Sequence, residues 1–234
     1  MSGPVSGALG GARWPELAVP AERTLLVPVG SCEQHGPHLP LDTDTRIATA
    51  VAERAARRLG LLVAPPLTYG ASGEHESFPG TVSIGRDALR AVLVEYGRSA
   101  ARWARRLVFV NGHGGNAGPL RGAVELLTRE GRDVRWWACA LPADAGFVRD
   151  GHAGRTETSV LLALDPDAVR LDAAEPGNRA PLAELLPAMR AGGVAAVSPN
   201  GVLGDPAGAC AEEGAEMLAA LVGALCGFVG MSHA

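Results

Sequence analysis

Residues 27–46 read VPVGSCEQHGPHLPLDTDTR, and the apolar run Thr24–Val29 leads into them. Within this short span Glu33, His35, His38, Asp42 and Asp44 sit among glycines and prolines, which is more ligand chemistry than a plain turn needs. Side chains alternate along an extended chain, so Glu33 and His35 project to one side if that conformation runs on to His35. Gly36, Pro37 and Pro40 then end regular structure, and the chain returns through Leu39 and Leu41 to bring Asp44 to the start of a helix. Two carboxylates and an imidazole converging there would suit zinc, manganese or iron(II). The same residues have a plainer reading: Asp42, Thr43 or Asp44 as a helix N-cap, and His38 as a hydrogen-bonded turn histidine. No spacing as sharp as HExxH decides between the two.

Downstream, 45–59 carries Ile47, Val51, Ala52, Ala55 and Leu59 on one helical face, with Gly60 as the stop. A second strand is expected at 61–64, closed by Pro65 and Pro66, which makes β-turn-α-β. The segment 69–85, YGASGEHESFPGTVSIG, is too polar for a core element and suits the rim of a pocket. Helical periodicity follows over 87–105, then a strand at 107–110 ending in NGHGGN (111–116), and a helix from about 119 to 130 with proline in its first turn. A strand at 133–140 and a long loop lead to GHAG (151–154) and a helix over 155–164. The last third holds a short helix near 181–189, the glycine-rich GVLGDP (201–206) and a final helix. Strands alternating with helices predict a mainly parallel sheet with helices on both faces, where ligands bind at the carboxyl ends of the strands. The three chemical turns all fall at that edge.

The 234 residues suffice for one large domain, and a hydrophobic share of 47% fills a sizeable core. A formal charge of -4 leaves no basic field for nucleic acid. The four cysteines are far apart and form no CxxC pair, which fits a reducing cytoplasm. Residues 1–20 read as a flexible lead-in without a signal-peptide core, and 217–231 as a packed helix too short to cross a bilayer. Five of the six histidines stand in the glycine-rich turns; only His233 is in the tail. The NGHGGN loop lacks the endings of a phosphate loop, and Ser31 and Cys32 lack a GxSxG elbow, so phosphate binding and serine hydrolysis are weak alternatives.

In order along the chain, the 27–46 stretch, EHESFPGT (74–81), NGHGGN, GHAGRTETS (151–159) and GVLGDP resemble the creatininase family, from Thr24 to the C-terminal helix. DTDTRIATAVA, the whole 69–85 segment, the run into NGHGGN and GNRAPL (177–182) resemble a peptide-cleaving branch of it. The resemblance implies a three-layer α/β sandwich forming one domain over 21–234, and an amidohydrolase with two divalent ions, zinc, iron(II) or manganese. Glu33, Asp44 and His113 match the ligands of one ion, and His35 and Asp44 those of the second, with Asp44 bridging. Creatininase itself completes the second ion with a glutamate where this chain has Gly115; other members use the glutamate that corresponds to Glu157. Two ions sharing Asp44 would bring the pKa of a bridging water from 15.7 towards about 7 and so supply a hydroxide. His152 is expected to move a proton to the departing amine, and Ser72, Glu74 and His75 to line the substrate side. The implied substrate is a modified ribosomal precursor peptide, cut near its C-terminus to release a cross-linked Val-Tyr-derived fragment. A small cyclic amide or a formamide is the alternative substrate, and a non-catalytic metal-binding subunit the alternative from another class. The implied setting is a cytoplasmic homo-oligomer with neither a nucleic-acid nor a membrane partner.

Overall fold

The computed structural model describes residues 7–18 and 22–230. Five strands, β1 (Gly7–Ala8), β2 (Thr24–Val29), β3 (Leu62–Val63), β4 (Arg106–Asn111) and β5 (Asp133–Ala138), form one parallel sheet in the order β1-β3-β2-β4-β5. The central strands β2 and β4 are buried at every residue, as a parallel sheet covered on both faces requires.

Alternation along these strands divides the core in two. Leu26, Val108 and Val110 face a layer made by α2 (Thr43–Leu59), α5 (Arg155–Leu164) and α7 (Ala211–Gly230). Leu25, Val27, Leu107 and Phe109 face the opposite layer, α3 (Arg86–Ala100) and α4 (Ala117–Arg129), through Leu89, Leu93, Leu120 and Leu127. Truncating any of these fully buried leucines to alanine is expected to cost about 2–5 kcal/mol. The final helix is longer than the 217–231 stretch suggested: α7 is, among the described residues, long and apolar enough to cross a membrane, and it is as expected a packed helix because Met217, Leu218, Leu221, Val222 and Leu225 are buried against α2 and α5. It is the lid of the first core layer.

The chain leaves β2 through α2 to reach β3 on one side, then crosses through α3 to β4 on the other side of β2. The strand order therefore reverses at β2 and β4, and a crevice opens beyond Val29 and Asn111. Gly60, with φ 67, ends α2 in the left-handed conformation.

Two expectations are corrected here. The 1–20 segment is not wholly a loose lead-in, because Gly7–Ala8 pairs with β3, and Arg23 Nη1 donates to the carbonyl of Leu17 after the short α1 (Trp14–Leu17); its first six and last two residues lie outside the described ones. The helix expected over 87–105 stops at Ala100, because the chain must extend by Arg106 to pair with β2. The short helix near 181–189 is α6 (Leu182–Gly192), which packs on the 73–75 turn at the carboxyl edge.

Candidate metal centre

Residues 33–35 run antiparallel to 39–41: Glu33 N–H donates to the carbonyl of Leu41, and His35 bridges Leu39. This small hairpin presents Glu33 and His35 beneath the first turn of α2, where Asp44 stands. Asp42 takes the N-cap position without a side-chain cap bond and pairs with Arg46, Thr43 donates to the carbonyl of Pro40, and the Asp44 carboxylate turns to Ser31, His35 and His113, so none of the three caps the helix through its side chain. The two Asp44 oxygens face two different groups. Oδ2 lies 3.4 Å from His113 Nδ1, which is 3.0 Å from Glu33 Oε1. Oδ1 lies 3.2 Å from His35 Nε2, which is 3.9 Å from Glu157 Oε2. Ser31 Oγ donates to Oδ2 at 2.8 Å, which commits that hydroxyl to the carboxylate and away from a nucleophile's role.

Hydrogen bonds on the outer side of each ring decide which nitrogen faces inwards. His113 Nε2–H meets the carbonyl of Ala71, His35 Nδ1–H that of Glu33, and His152 Nε2–H that of Gln34 at 2.7 Å. In its neutral form each of these rings therefore turns a lone pair towards the carboxylates. His75 is the opposite case: Gln34 Nε2 donates to its Nδ1 at 2.8 Å and to the carbonyl of Gly201, so Nε2 carries the proton on the Glu33 side. The His152 ring is flanked by His35 and His75, with centroids 4.3 and 4.5 Å away.

Charge explains what this cluster lacks. Glu33 is fully buried, and neither of its carboxylate oxygens has a hydrogen-bond partner among the described residues. A buried carboxylate without a donor is strongly disfavoured unless a cation pairs with it. Burial would lower the pKa of His35, but Asp44, Glu157 and Glu33 outweigh it and raise it to about 10. His113 is likewise raised against its burial by Glu33 and Asp44. Burial raises Glu157 to about 7, with the Asp44 charge adding to it. Without another cation the imidazoles must carry protons to balance three carboxylates. Divalent ions fit the same positions: oxygen and nitrogen donors, lone pairs turned inwards, and an orphaned buried carboxylate. Cys139 lines the same cavity, but burial raises its pKa and keeps it a neutral thiol.

The loops are held by side-chain amides and by close backbone approach. Asn111 bonds both the N–H and the carbonyl of His113, and Asn116 ties that loop to Ala71 N–H and to the carbonyl of Gly30. A β-carbon on Gly112 would lie 2.4 Å from the carbonyl of Asp44. At Gly115 it would meet the carbonyl of Ala71 and His113 Nε2, both at 2.4 Å, so this backbone has no room for a glutamate there. Glu157 reaches the His35 side instead, fixed by Ala153 N–H at 2.6 Å, and Ala153 itself holds a left-handed φ of 51. Such strain in a non-glycine residue persists only where the surroundings impose it.

All five expected ligands and His152 thus meet at one place. Glu74 and His75 line the cavity beside them, about 840 Å³ in volume, whereas Ser72 is buried behind it, its hydroxyl without a partner among the described residues. His38 stands apart: it is buried, and its Nε2 donates to Thr158 Oγ1 at 2.9 Å. Gln34 has no counterpart in the sequence reading. Its partners His75, His152 and Gly201 are 41, 118 and 167 positions away, so nothing in the local pattern marks it. The two asparagines of NGHGGN could have been found, because a ligand loop rich in glycine needs side-chain bonds to hold one shape.

Fold and donor set define an α/β protein with a cation-binding centre at the switch point of a parallel sheet. The family model described as creatininase, creatinine amidohydrolase, matches residues 11–229, and the chain belongs to the creatininase family. It is 59% identical over 228 residues to the mycofactocin precursor peptide peptidase of Mycobacterium ulcerans (strain Agy99), covering 94% of this chain and 89% of the relative. Among solved structures, a manganese form of creatininase superposes with a TM-score of 0.85 at 31% identity, covering 97% of this chain and 99% of that one. A zinc–zinc form of a creatininase variant also gives 0.85, at 30% identity and with 97% and 98% covered.

Proposed function

We propose that this protein is a metal-dependent peptidase of mycofactocin biosynthesis, cutting the modified precursor peptide near its C-terminus to release the cross-linked Val-Tyr-derived fragment. The observation that carries the reading is the division of Asp44, with one oxygen turned to Glu33 and His113 and the other to His35 and Glu157. That arrangement supports two ions sharing one carboxylate: Glu33, Asp44 and His113 would hold the first, and His35, Asp44 and Glu157 the second. Zinc, iron(II) and manganese all suit these donors. Bound there, such ions supply Lewis acidity towards an amide carbonyl and water of lowered pKa.

The chain's own groups do the rest. Burial, with His35 and His75 on either side, holds the His152 pKa well below its ordinary value, so the ring is neutral at working pH. With Nε2–H tied to Gln34, its Nδ1 is the atom that takes up a proton and delivers it to the departing amine. His75 lines the cavity with its Nε2–H turned towards Glu33, and Glu74 bounds the same wall. A cavity of about 840 Å³ accommodates several peptide residues, far more than a small cyclic amide needs.

The test is mass spectrometry of the modified precursor peptide incubated with purified protein, with and without added zinc or iron(II). A small C-terminal fragment that appears only with metal supports the reading. An intact peptide beside metal-loaded protein moves the substrate to a cyclic amide or formamide. The homo-oligomer implied by the resemblance is checked in the same preparation by light scattering.

A further inference from the structure

A second cavity, about 780 Å³, opens beside the metal centre. It contains none of the proposed ligands, yet it shares Arg149, Asp150, Gly151, Leu182 and Leu203 with the first cavity, so the two meet over a common saddle. Its far wall is the GNRAPL segment, which the metal centre leaves without a role. Arg179, on that wall, and Arg155, at the start of α5, also line the cavity but are already paired with Asp205 and Glu213. Arg149, on the saddle, has no carboxylate within pairing distance among the described residues. Exposed Val148 and Leu182 flank it, 49% and 42% accessible. An arginine left unpaired between two exposed aliphatic side chains, at the junction of two cavities, is matched by a ligand that brings its own carboxylate and apolar surface.

We propose that the second cavity is a binding site for the part of the peptide substrate that lies across the scissile bond from the released fragment. The site takes an extended segment carrying an acidic side chain, which pairs with Arg149, and an apolar one, which lies on Val148 and Leu182. This rests on the peptidase reading of the first cavity. A small fragment needs the first cavity alone; the rest of a longer chain must leave it, and the saddle opens into the second. Arg86 and Arg190 also line the first cavity without carboxylate partners among the described residues, and their charge favours approach of an acidic chain.

Two variants outside the metal centre test the site. Arg149→Glu reverses the charge on the saddle, and Ala180→Trp fills the second cavity from its far wall. With metal-loaded protein, steady-state kinetics are compared on the modified precursor peptide and on a truncated form that keeps only the residues about the scissile bond. KM for the long peptide should lie about tenfold below that for the short one, the value of one charge-assisted pair. Ala180→Trp should erase that advantage while kcat, KM for the short peptide and metal content hold, and Arg149→Glu should raise KM for the long peptide more than for the short one with metal content unchanged. Equal KM values for the two lengths, or variants that slow both peptides alike, would overturn the proposal. Fluorescence anisotropy of a labelled extended peptide that carries one glutamate and one leucine and has no scissile bond reads the cavity separately from cleavage. Binding that both variants weaken supports the site even if neither peptide is cut, an outcome that removes only the peptidase reading. No binding, or binding indifferent to both variants, removes the site itself.

Discussion

The loops that carry His113 and His152 hold a histidine at the same centre by different means. NGHGGN supplies its own supporting side chains: Asn111 bonds the N–H and the carbonyl of His113, Asn116 braces Asn111 and ties the loop to Gly30 and Ala71, and its glycines let it press against Asp44 and Ala71. GHAG borrows its support from elsewhere. His152 pairs across to Leu203, its ring is held by the carbonyl of Gln34, Ala153 is strained, and His38 props Thr158 in the helix that follows. A loop held by its own residues can be read from a short motif. One held by remote residues is visible only once the fold has brought them together.

Substitutions at the two loops should separate these modes. The largest effect is expected at His113→Ala, which removes a lone pair beside Glu33 and Asp44: turnover should fall more than about 100-fold, with one ion lost in metal analysis. Retained metal and activity would sink the ligand assignment. Asn116→Ala leaves every proposed ligand in place but frees the loop, and metal affinity should weaken about 10–100-fold in a competition titration. An unchanged affinity would mean that the glycine contacts alone set the loop. On the other side, Gln34→Leu should keep the metal and lower kcat by about tenfold, because His75 loses the donor that fixes its tautomer. A variant that loses metal instead would show that Gln34 supports the ligands rather than the substrate side.

The smallest effect on turnover is expected at His38, whose contribution is to stability. Burial and the nearby positive His35 lower its pKa from 6.5 to about 4. Below pH 6.5 the unfolded chain takes up a proton that the native chain refuses. The stabilisation is therefore complete above pH 6.5 and drains away towards pH 4, by up to about 3 kcal/mol. His38→Gln keeps a donor for Thr158 and should flatten this part of the curve in urea unfolding at pH 7 and pH 4.5. Parallel curves for variant and wild type would locate the acid sensitivity elsewhere.

Much of this architecture was legible. The strand Thr24–Val29 and the helix Arg155–Leu164 fall where apolar run and periodicity predict them. The expected ligands converge because each follows a strand or opens a helix at the same sheet edge. The N-terminal edge strand was illegible, since two small residues carry no pattern and are recruited by β3 alone. Gln34 and the saddle at Arg149 were illegible for the same reason as the support of GHAG: their partners are distant in sequence. Ser72 was singled out by its neighbours, but burial keeps it from the cavity surface.

Glu33, His35, Asp44, His113 and Glu157 come from segments separated by most of the length of the sheet's connections, and no two of the proposed metal sites' donors beyond the 33–44 hairpin are neighbours in the chain. Two ions held by these donors and sharing Asp44 would together cross-link the segments that follow β2 and β4 to α5, a linkage that exists only in the folded state. Every ion bound with that preference adds RT ln(1 + [L]/Kd) to stability, about 2.7 kcal/mol at a hundredfold excess over Kd. A cell short of metal would accordingly lose copies of the protein to proteolysis, and its abundance would track metal supply as closely as its turnover does.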